Sequence, residues 1–492
     1  MWNKDALKKV IEKQLGDYLL IVVSNREPYI HSYKKGKIVW QRSAGGVVTA
    51  LDPVMKACSG LWIAHGSGDA DKKTVDKNDR VKVPPDDPSY TLHRVWLTKE
   101  EEDGYYYGFS NESLWPLSHI SYTRPKFDEM DWKMYERVNR KFADAILKEI
   151  KDRKAFVWIQ DYHMTLLPKF LKEAKGNNIM TAHFWHIPWP NPEVFRICPK
   201  KTEILEGLLA NDLLGFHIRY HCENFIATVE REIEVRVDRE RFSIIKGGHE
   251  TLIRPFPIGV DHEYVKHLSE SKEVKDYMES LKEEFILNYD FIMLGLDRID
   301  YTKGILERLR ALDRFVEKYP EYKGRFVFIQ MGRLSRIHIP AYKDLNDEIN
   351  ALVEEINWKH SHEGWTPILF VRRHLSYAEV VAFYKLANIC VVSPLHDGMN
   401  LVAKEYVSTR SDGSGVLVLS QFTGSVRELE DAVIINPYDT EDFADKLKEA
   451  VSMPKKNAKQ RMQKMRKQVA GNNIYRWAGK LLSELLKFEF EE

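Results

Sequence analysis

The chain has few of the features that mark secreted, membrane or nucleic-acid-binding proteins. Its 492 residues include only four cysteines, Cys58, Cys198, Cys222 and Cys390, and no CxxC pair, which argues against a disulfide framework or a zinc ribbon. It has no apolar run of about 18 residues and no signal-peptide core at its charged N-terminus. A formal net charge of +1 offers no basic field for nucleic acid. We therefore expect a cytoplasmic protein that binds neither nucleic acid nor a membrane.

The composition is that of a globular protein, with 43% hydrophobic and 30% charged residues. At this length two large domains are expected. Short apolar runs alternate with segments of helical period, such as "KGILERLRALDRFVEKY". In the first half the runs cover residues 19–25, 61–66, 156–161, 180–187 and 213–217. In the second half they cover residues 291–296, 325–332, 368–373, 389–394, 416–421 and 432–437.

These runs are continuous rather than alternating, as expected for strands buried on both faces of a parallel sheet. Two sets of about six strands predict an α/β protein with two Rossmann-like domains. We place the domains at residues 1–258 and 259–475, and expect a C-terminal helix at 476–492 to pack back on the first domain. Ligands of such sheets bind beyond the carboxyl ends of the strands, so the residues there are the candidates for a site.

Two cations follow the first strand of the second half, in "LDRIDYTKG". Arg298 and Lys303 are five residues apart, just beyond the predicted strand. A solvated loop is the simplest explanation, because most Lys and Arg side chains lie at the surface. A diphosphate leaving group instead develops negative charge as a glycosidic bond breaks, and two cations in this position can neutralise it.

A helix start follows another strand, in "PLHDGMNLVAKEYV". Asp397 and Gly398 form a turn, and the helix after it presents free amides and a positive dipole end. Asp397 suits the hydroxyls of a sugar better than a phosphate. Glu405, about one turn beyond Leu401, suits a ribose diol.

The first half carries weaker signals. Gly45 and Gly46 precede a helical pattern in "SAGGVVTAL", so their loop can bring backbone amides to a phosphate. The motif is not GxGxxG, which argues against a dehydrogenase. Polar and aromatic groups that suit sugar hydroxyls and sugar rings also follow two strands. They are Asp161, Tyr162, His163, His183, Trp185 and His186.

Two short patterns admit a metal. Asp69 and Asp71 have the spacing used by metal-dependent glycosyltransferases, but the loop "GDADKK" is rich in lysine, which does not suit a cation site. His217 and His221 are four residues apart, a possible ligand pair on a helix, without an obvious third ligand. We therefore predict neither a metal site nor any other cofactor.

Taken together, the motifs resemble the trehalose-6-phosphate synthase family, retaining glycosyltransferases of family 20 with the GT-B fold. The resemblance runs along nearly the whole chain through "VVSNR", "YYYGFSNESLWP", "QDYH", "HIPWPNPEVFR", "LLGFH", "PIGVD", "DRIDYTKGI", "HDGMNLVAKEYV", "GVLVLSQFTGS" and "INPYD". It implies two Rossmann-like domains that face a central cleft. It also implies transfer of glucose from UDP-glucose to glucose 6-phosphate, giving α,α-trehalose 6-phosphate and UDP.

The resemblance assigns a role to individual residues. Arg298 and Lys303 resemble the diphosphate clamp, and His186 and Asp397 resemble contacts to the donor sugar. The other donor-binding candidates are Gly45, Gly46, Gly398, Met399, Asn400, Leu401, Val402 and Glu405, with Met331 and Leu375 near the base. The acceptor-binding candidates are Arg26 and Arg336 for the phosphate, and Trp62, Tyr106, Trp115, Asp161 and Tyr162 for the sugar. No acidic run near either arginine supplies an obvious partner.

The chain departs from the family pattern at three places. His396 stands where arginine is common, Gln160 stands where histidine is usual, and Glu27-Pro28 lengthens the first loop. A glucosylglycerol-phosphate synthase, with glycerol 3-phosphate as acceptor, and a non-catalytic sugar-phosphate sensor on the same fold are the alternatives. The aromatic acceptor candidates favour a hexose, and the complete clamp favours catalysis. The sequence leaves open the nucleotide of the donor and whether the chain forms a homo-oligomer.

Overall fold

The structure is a computed structural model that describes residues 2–15, 18–43, 46–373 and 375–486. The chain divides into two compact units. Unit 1 comprises the residues up to Ile258 together with the segment from Ile474 onward, and unit 2 comprises Gly259–Asn473. Unit 2 is therefore one continuous stretch of chain, whereas unit 1 is assembled from two.

The described residues of unit 1 form twelve strands, ten of which belong to one sheet. They are β1 (Leu19–Arg26), β2 (Tyr29–Lys34), β3 (Lys37–Arg42), β4 (Leu61–His65), β5 (Arg80–Val83), β6 (Tyr90–Val95), β7 (Ala155–Gln160), β8 (Ile179–Phe184), β9 (Leu213–Phe216), β10 (Arg236–Asp238), β11 (Ser243–Lys246) and β12 (His249–Pro255). The sheet order is β10-β11-β12-β9-β8-β7-β1-β4-β6-β5, and β2 and β3 form a separate hairpin.

The middle of this sheet is parallel from β12 to β6, and antiparallel strands extend it at both ends. All six residues of β7 are buried, as expected for a strand covered on both faces. The predicted set of about six strands missed the hairpin, β5, β6 and β10–β12. Several of these are short and polar, such as "RVKV" and "RVD", and carry no continuous apolar run.

Eleven α-helices are formed by the part of unit 1 that the structure describes. They are α1 (Lys4–Gln14), α2 (Gly46–Cys58), α3 (Asp71–Thr74), α4 (Lys99–Glu102), α5 (Trp115–His119), α6 (Glu129–Ile150), α7 (Leu167–Lys175), α8 (Pro192–Phe195), α9 (Lys201–Leu208), α10 (Arg219–Glu232) and the C-terminal helix Ile474–Leu485. A twelve-residue π-helix, Asp103–Leu114, lies between α4 and α5. The C-terminal helix packs on α1 and α2.

Unit 2 is built on a six-stranded sheet that is parallel throughout. Its strands are β13 (Phe291–Arg298), β14 (Phe326–Arg333), β15 (Ile368–Val371), β16 (Ile389–Val392), β17 (Val416–Ser420) and β18 (Val433–Ile435), in the order β15-β14-β13-β16-β17-β18. Its helices are α11 (His262–Glu270), α12 (Lys272–Phe285), α13 (Ile305–Lys318), α14 (Pro340–His360), α15 (Tyr377–Leu386), α16 (Leu401–Thr409), α17 (Thr440–Ser452) and α18 (Lys455–Gly471).

Successive residues of the central strands of unit 2 enter two different cores. Leu294 and Ile329 pack in the layer on one face of the sheet, while their neighbours Met293 and Phe328 pack in the layer on the other face. This alternation follows from the two-residue period of a strand and explains why the runs are apolar throughout. The predicted α/β class with two parallel-sheet halves is confirmed, although the sheet of unit 1 is mixed at its ends.

No helix within the described ranges is both long and apolar enough to cross a membrane.

Candidate active site

The two cations predicted for the diphosphate clamp lie at the carboxyl end of the sheet of unit 2. Arg298 is the last residue of β13 rather than part of the loop beyond it, because pairing with β14 continues as far as Arg333. Lys303 ends a short 3₁₀ turn, Tyr301–Lys303, that follows the strand. Both cations therefore sit where a parallel sheet binds its ligands.

Lys303 is paired with Asp397, although 94 residues separate them in sequence. The Lys303 Nζ atom lies 2.6 Å from Asp397 Oδ2, and both side chains are more than four-fifths buried. The side-chain amide of Asn400 donates a second hydrogen bond to the same oxygen, at 3.2 Å. The structure thus brings the clamp lysine and the predicted sugar-binding carboxylate into direct contact within unit 2.

Helix α16 begins beside this pair. Asn400 is its N-cap, with φ +76°, and its side-chain oxygen accepts a hydrogen bond from the Ala403 amide at 3.2 Å. The amides of Leu401 and Val402 belong to the first turn, where the helix itself supplies no acceptor. These amides and the positive end of the helix dipole favour an anion next to Lys303.

The loop before α16 is held from behind by residues 422–425. The Asp397 amide donates to the Phe422 carbonyl at 3.0 Å, and the Ser425 amide donates to the Met399 carbonyl at 2.9 Å. Gly424 packs so closely that a Cβ atom there would lie 2.0 Å from the carbonyl oxygen of Gly398. Gly424 was not predicted as a site residue, although it lies within "GVLVLSQFTGS", one of the stretches that carry the family resemblance.

A buried carboxylate between the arginines of unit 2 was also missed. Asp300 is fully buried, and its Oδ2 atom lies 3.8 Å from Arg298 Nη2 and 3.5 Å from Arg336 Nη1. Arg336 Nη1 also donates to the Tyr342 hydroxyl at 2.7 Å. Arg336 therefore has an anionic partner, contrary to our expectation. Asp300 stands between Arg298 and Lys303 in the sequence, so the signal was present.

The charge of Asp300 is set by these neighbours. Burial by itself acts to raise the pKa of the carboxyl. The guanidiniums of Arg298 and Arg336, with Lys303, outweigh burial and hold the pKa below its ordinary value. Three cations and the two carboxylates Asp300 and Asp397 thus leave one net positive charge at this edge of the sheet.

The remaining donor candidates are less sharply placed. Glu405, on α16, accepts a hydrogen bond from the buried Tyr384 hydroxyl at 2.9 Å. Met331 lies inside β14, and the Gln330 side chain already donates to its carbonyl at 3.1 Å. Leu375 is half-buried against the core of unit 2. A role of Met331 and Leu375 in recognising the base stays a prediction.

In unit 1, several of the predicted acceptor-binding residues contact one another around Tyr106 of the π-helix. Arg26, the last residue of β1, donates through Nη2 to the Tyr106 hydroxyl at 2.9 Å. The Tyr106 ring stacks on His163, which in turn stacks on Tyr162. The ring of Trp115 lies 5.8 Å from that of Tyr162. One cation and a chain of aromatic rings are thus continuous, as a pocket for a sugar phosphate requires.

Asn111, which was not predicted as a site residue, links Tyr106 to Tyr162 through its side chain. Its side-chain amide donates to the Tyr106 carbonyl at 2.6 Å, and its side-chain oxygen accepts from the Tyr162 hydroxyl at 2.9 Å. The contact with Tyr106 spans five residues within the π-helix, whereas the contact with Tyr162 joins the π-helix to the segment after β7. Such wide helical turns commonly occur at functional sites.

The structure places Trp62, a predicted contact of the acceptor sugar, in the core of unit 1. Trp62 is fully buried as the second residue of β4, three residues before the carboxyl end of the strand. Its indole nitrogen donates to Ser24 Oγ at 2.8 Å, and its ring stacks on Tyr90. Ligands meet the ends of parallel strands rather than their middles, so Trp62 is a core residue.

Asp161 directly follows β7 in an unusual backbone conformation. Its φ and ψ angles of +71° and 176° lie in a region that is otherwise almost confined to glycine. The Asp161 amide donates to the Phe184 carbonyl at 2.7 Å, and its carbonyl accepts from His183 Nε2 at 2.8 Å. Its carboxylate accepts from the His186 amide at 3.3 Å. Strain held by so many contacts is typical of a functional position.

His186 lies in the loop that follows β8 and contacts His217 in the loop that follows β9. Its Nε2 atom is 2.8 Å from Oε1 of Gln160, the last residue of β7. His217 Nε2 donates to the His186 carbonyl at 3.1 Å. Burial, with the nearby rings of His217, His183 and His163, holds the pKa of His186 well below its ordinary value, so the ring is neutral.

The two patterns that admitted a metal serve the backbone instead. Asp69 Oδ1 accepts from the Tyr33 amide at 2.9 Å, and Asp71 Oδ1 accepts from the His31 amide at 2.8 Å. The two-residue spacing of the carboxylates therefore matches the two-residue spacing of outward amides along β2. Asp71 is also paired with the buried Arg94 at 2.8 Å.

His217 and His221 do not form a ligand pair on a helix. His217 precedes α10 and points at the carbonyl of His186, while His221 Nδ1 accepts from the Trp189 amide at 3.3 Å. Across residues 2–15, 18–43, 46–373 and 375–486, no group of three or more His, Cys, Asp or Glu side chains is arranged to hold a metal ion.

Gly46 is the first residue of α2, as the predicted loop-to-helix junction requires. Gly45 lies outside the described residues.

Comparison with known proteins covers almost the entire chain. The profile of Glycosyltransferase family 20 matches residues 18–487. The trehalose-6-phosphate synthase of Mycolicibacterium smegmatis is 36% identical over 474 residues, which is 94% of this chain and 92% of that protein. The UDP-forming α,α-trehalose-phosphate synthase of Pichia angusta is 33% identical over 480 residues, which is 95% of this chain and 99% of that protein.

Solved structures agree with the sequence comparison. The E. coli protein bound to UDP-2-fluoro glucose superposes with a TM-score of 0.84 at 30% identity, covering 95% of this chain and 98% of that one. The UDP-forming α,α-trehalose-phosphate synthase of Burkholderia xenovorans in complex with glucose 6-phosphate gives a TM-score of 0.84 at 28% identity. That match covers 95% of this chain and 99% of the other.

Proposed function

Because the chain belongs to glycosyltransferase family 20, we propose that it transfers glucose from UDP-glucose to glucose 6-phosphate, with α,α-trehalose 6-phosphate and UDP as products. The observation that carries the proposal is the cluster of Arg298, Lys303 and the start of α16 at one edge of unit 2. It offers two cations and free amides to a diphosphate, with a carboxylate within reach of the attached sugar.

The donor diphosphate is the group that this cluster would stabilise. As the bond between the sugar carbon and the phosphate oxygen breaks, negative charge grows on the leaving UDP. Asp397 holds the Lys303 Nζ atom at 2.6 Å, so the position of the side chain is already fixed. Little side-chain conformational entropy is therefore lost when Lys303 binds the phosphate. Asp397 accepts hydrogen bonds, which suits the glucose hydroxyls that lie next to the diphosphate.

The configuration at the sugar carbon is retained when the acceptor attacks from the same face of the sugar from which the leaving group departs. The acceptor hydroxyl bonds to the sugar carbon, and its proton passes to a phosphate oxygen of the departing UDP. No protein carboxylate needs to form a covalent intermediate in this scheme, unlike in retaining glycosidases.

We infer that unit 1 recognises the acceptor sugar phosphate through Arg26, Tyr106, Trp115, Asp161 and Tyr162. Within unit 2, Arg336 is the candidate for binding a phosphate of the acceptor. The contact of Arg26 with Tyr106 supports a phosphate site beside an aromatic surface. Arg336 is pre-organised by Asp300 and Tyr342, which leaves its guanidinium in one orientation.

The test is a product assay by mass with a matrix of substrates. Purified protein is incubated with UDP-, ADP- or GDP-glucose and with glucose 6-phosphate, glycerol 3-phosphate or glucose. We expect trehalose 6-phosphate from UDP-glucose and glucose 6-phosphate, and little product from free glucose. Product from glycerol 3-phosphate alone would replace the trehalose assignment, and no product from any pair would favour the non-catalytic alternative.

A further inference from the structure

The side chain of Gln160 bonds directly to the ring of His186. Gln160 ends β7 and is fully buried, and its Oε1 atom lies 2.8 Å from His186 Nε2. Its own amide nitrogen, Nε2, is buried without a hydrogen-bond partner among the described residues. The contact therefore uses the acceptor half of the amide and leaves the donor half unsatisfied.

Among the described residues, one carboxylate is the only group found near His186 whose charge would stabilise a protonated ring. Strand β8 contributes His183, and the loop after β9 contributes His217, whose ring lies 5.5 Å away. The C-terminal helix contributes the uncharged ring of Trp477, at 6.3 Å. After β7, His163 adds a third neighbouring imidazole, and the Asp161 carboxylate is directed to the His186 backbone amide at 3.3 Å.

We propose that Gln160 is a positioning residue that keeps His186 in the neutral tautomer with its proton on Nε2. An amide oxygen accepts the Nε2–H hydrogen bond but carries no charge, so it orients the ring without favouring the imidazolium. A carboxylate in the same place would orient the ring equally well and would also favour its protonation. Nδ1 then keeps its lone pair and accepts a hydrogen bond.

This inference rests on the proposed function for its chemical meaning. Positive charge grows on the donor sugar carbon while the bond to UDP breaks. A cationic ring beside that carbon opposes the transition state, whereas a neutral Nδ1 acceptor binds a sugar hydroxyl without this cost. Gln160 would thus remove a charge from the site rather than supply one.

The state of the ring is measured by proton–nitrogen correlation NMR on protein labelled with ¹⁵N-histidine. The His186 signal is identified among the 17 histidines by its loss in His186→Gln. In the parent protein we expect the neutral Nε2–H pattern from pH 8 down to about pH 5, well below the ordinary histidine range. This readout needs no activity, so it tests the inference even if the proposed reaction is wrong.

Two variants at Gln160 separate orientation from charge. Gln160→Glu should raise the pH at which His186 titrates by about 1–3 units. In this variant, kcat should fall about tenfold for each pH unit below the raised titration point of His186. Gln160→Met keeps the length but loses the acceptor, so the NMR signal should show mixed tautomers while the acid limb of kcat stays where it is in the parent. Gln463→Glu adds the same charge on exposed α18 and should change neither readout.

Three results would overturn the inference. The first is a parent protein in which His186 carries its proton on Nδ1 or is protonated near neutral pH. The second is a Gln160→Met protein with the tautomer of the parent. The third is a Gln160→Glu protein whose His186 titrates no higher than in the parent.

Discussion

At the scale of single residues, the proposed stabilisation of the leaving diphosphate depends on the positive charges of Arg298 and Lys303, which are in position before the substrate binds. Replacing Arg298 by alanine should lower kcat by about 10²–10³-fold, because the leaving diphosphate loses a stabilising donor. Steady-state kinetics with saturating UDP-glucose measure the change. Arg310→Ala removes an exposed arginine that is paired with Glu348 on the same unit, and it should leave kcat unchanged. Equal kinetics in the two variants would remove Arg298 from the leaving-group role.

Arg336 gives a second prediction at this scale. It is almost fully buried beside Asp300 and Tyr342, so its guanidinium is available only to a ligand that reaches this edge of unit 2. Arg336→Ala should lower kcat/KM for glucose 6-phosphate by roughly 10–150-fold, the equivalent of about 1.5–3 kcal/mol for a charge-assisted hydrogen bond. The KM for UDP-glucose should change far less.

Arg336→Ala can also lower activity by destabilising the fold, because it leaves the buried carboxylate of Asp300 without one of its two arginine partners. Arg336→Lys keeps the charge and loses the planar fork, so it should recover folding but only part of the acceptor affinity. If both variants raise the KM of the nucleotide sugar more than that of glucose 6-phosphate, Arg336 serves the donor.

At the scale of loops and strands, the segment 422–425 packs against the loop that precedes α16 and holds it in position. Gly424→Ala puts a Cβ atom 2.0 Å from the Gly398 carbonyl, so the loop from Asp397 to Asn400 must move. We expect at least a tenfold loss of kcat/KM for UDP-glucose, in keeping with the sensitivity of catalysis to small displacements. Gly471→Ala, where nothing lies within 4 Å of the new atom, is the matched control and should retain activity. Normal donor kinetics in Gly424→Ala would show that the loop tolerates the shift.

The loop after β1 carries a pH dependence of stability. Glu27 accepts from Arg94 at 2.7 Å, and Arg94 also pairs with Asp71. Burial and the hydrogen bond with Asp71 raise the pKa of Glu27 to about 8. A raised pKa in the folded state gives stability below the unfolded value of 4.5, and this stability is lost as pH rises toward about 8.

The free energy of urea unfolding of the parent, relative to that of Glu27→Gln, should therefore fall between pH 5 and pH 8, by on the order of 1 kcal/mol per pH unit at most. The comparison cancels the opposite contribution of the buried histidines His65, His183, His186 and His262, whose lowered pKa values make stability rise with pH in the lower part of this range. Asp71, whose pKa is lowered to about 2, contributes nothing to a change in this range. A difference between the two proteins that stays constant from pH 5 to pH 8 would mean that Arg94 keeps Glu27 ionised.

Much of the fold and part of the site follow from local sequence. Continuous apolar runs predicted the central strands, because a strand covered on both faces needs no polar residues. The hairpin of β2 and β3 and the edge strand β5 were not predicted, because β2 and β5 have few buried positions and β3 has none. The burial of Trp62 depends on how far β4 extends beyond it, and the positive φ of Asp161 depends on contacts from β8. Neither is encoded locally.

At the scale of the whole molecule, the source of positive charge decides whether the enzyme needs a metal. Asp69 and Asp71 are bonded to the amides of β2, and Arg298 and Lys303 stand where the diphosphate is expected. Activity should therefore persist after prolonged dialysis against EDTA, as measured by release of UDP. Loss of activity that added Mg²⁺ or Mn²⁺ restores would contradict the clamp as the sufficient charge.

The division of the chain has a consequence for its synthesis. Everything from Gly259 to Asn473 forms one unit, whereas the strands before Ile258 share their unit with the helix Ile474–Leu485. Translation therefore completes all the residues of unit 2 before it reaches the helix Ile474–Leu485, so unit 1 gains this helix only after the whole of unit 2 has been made.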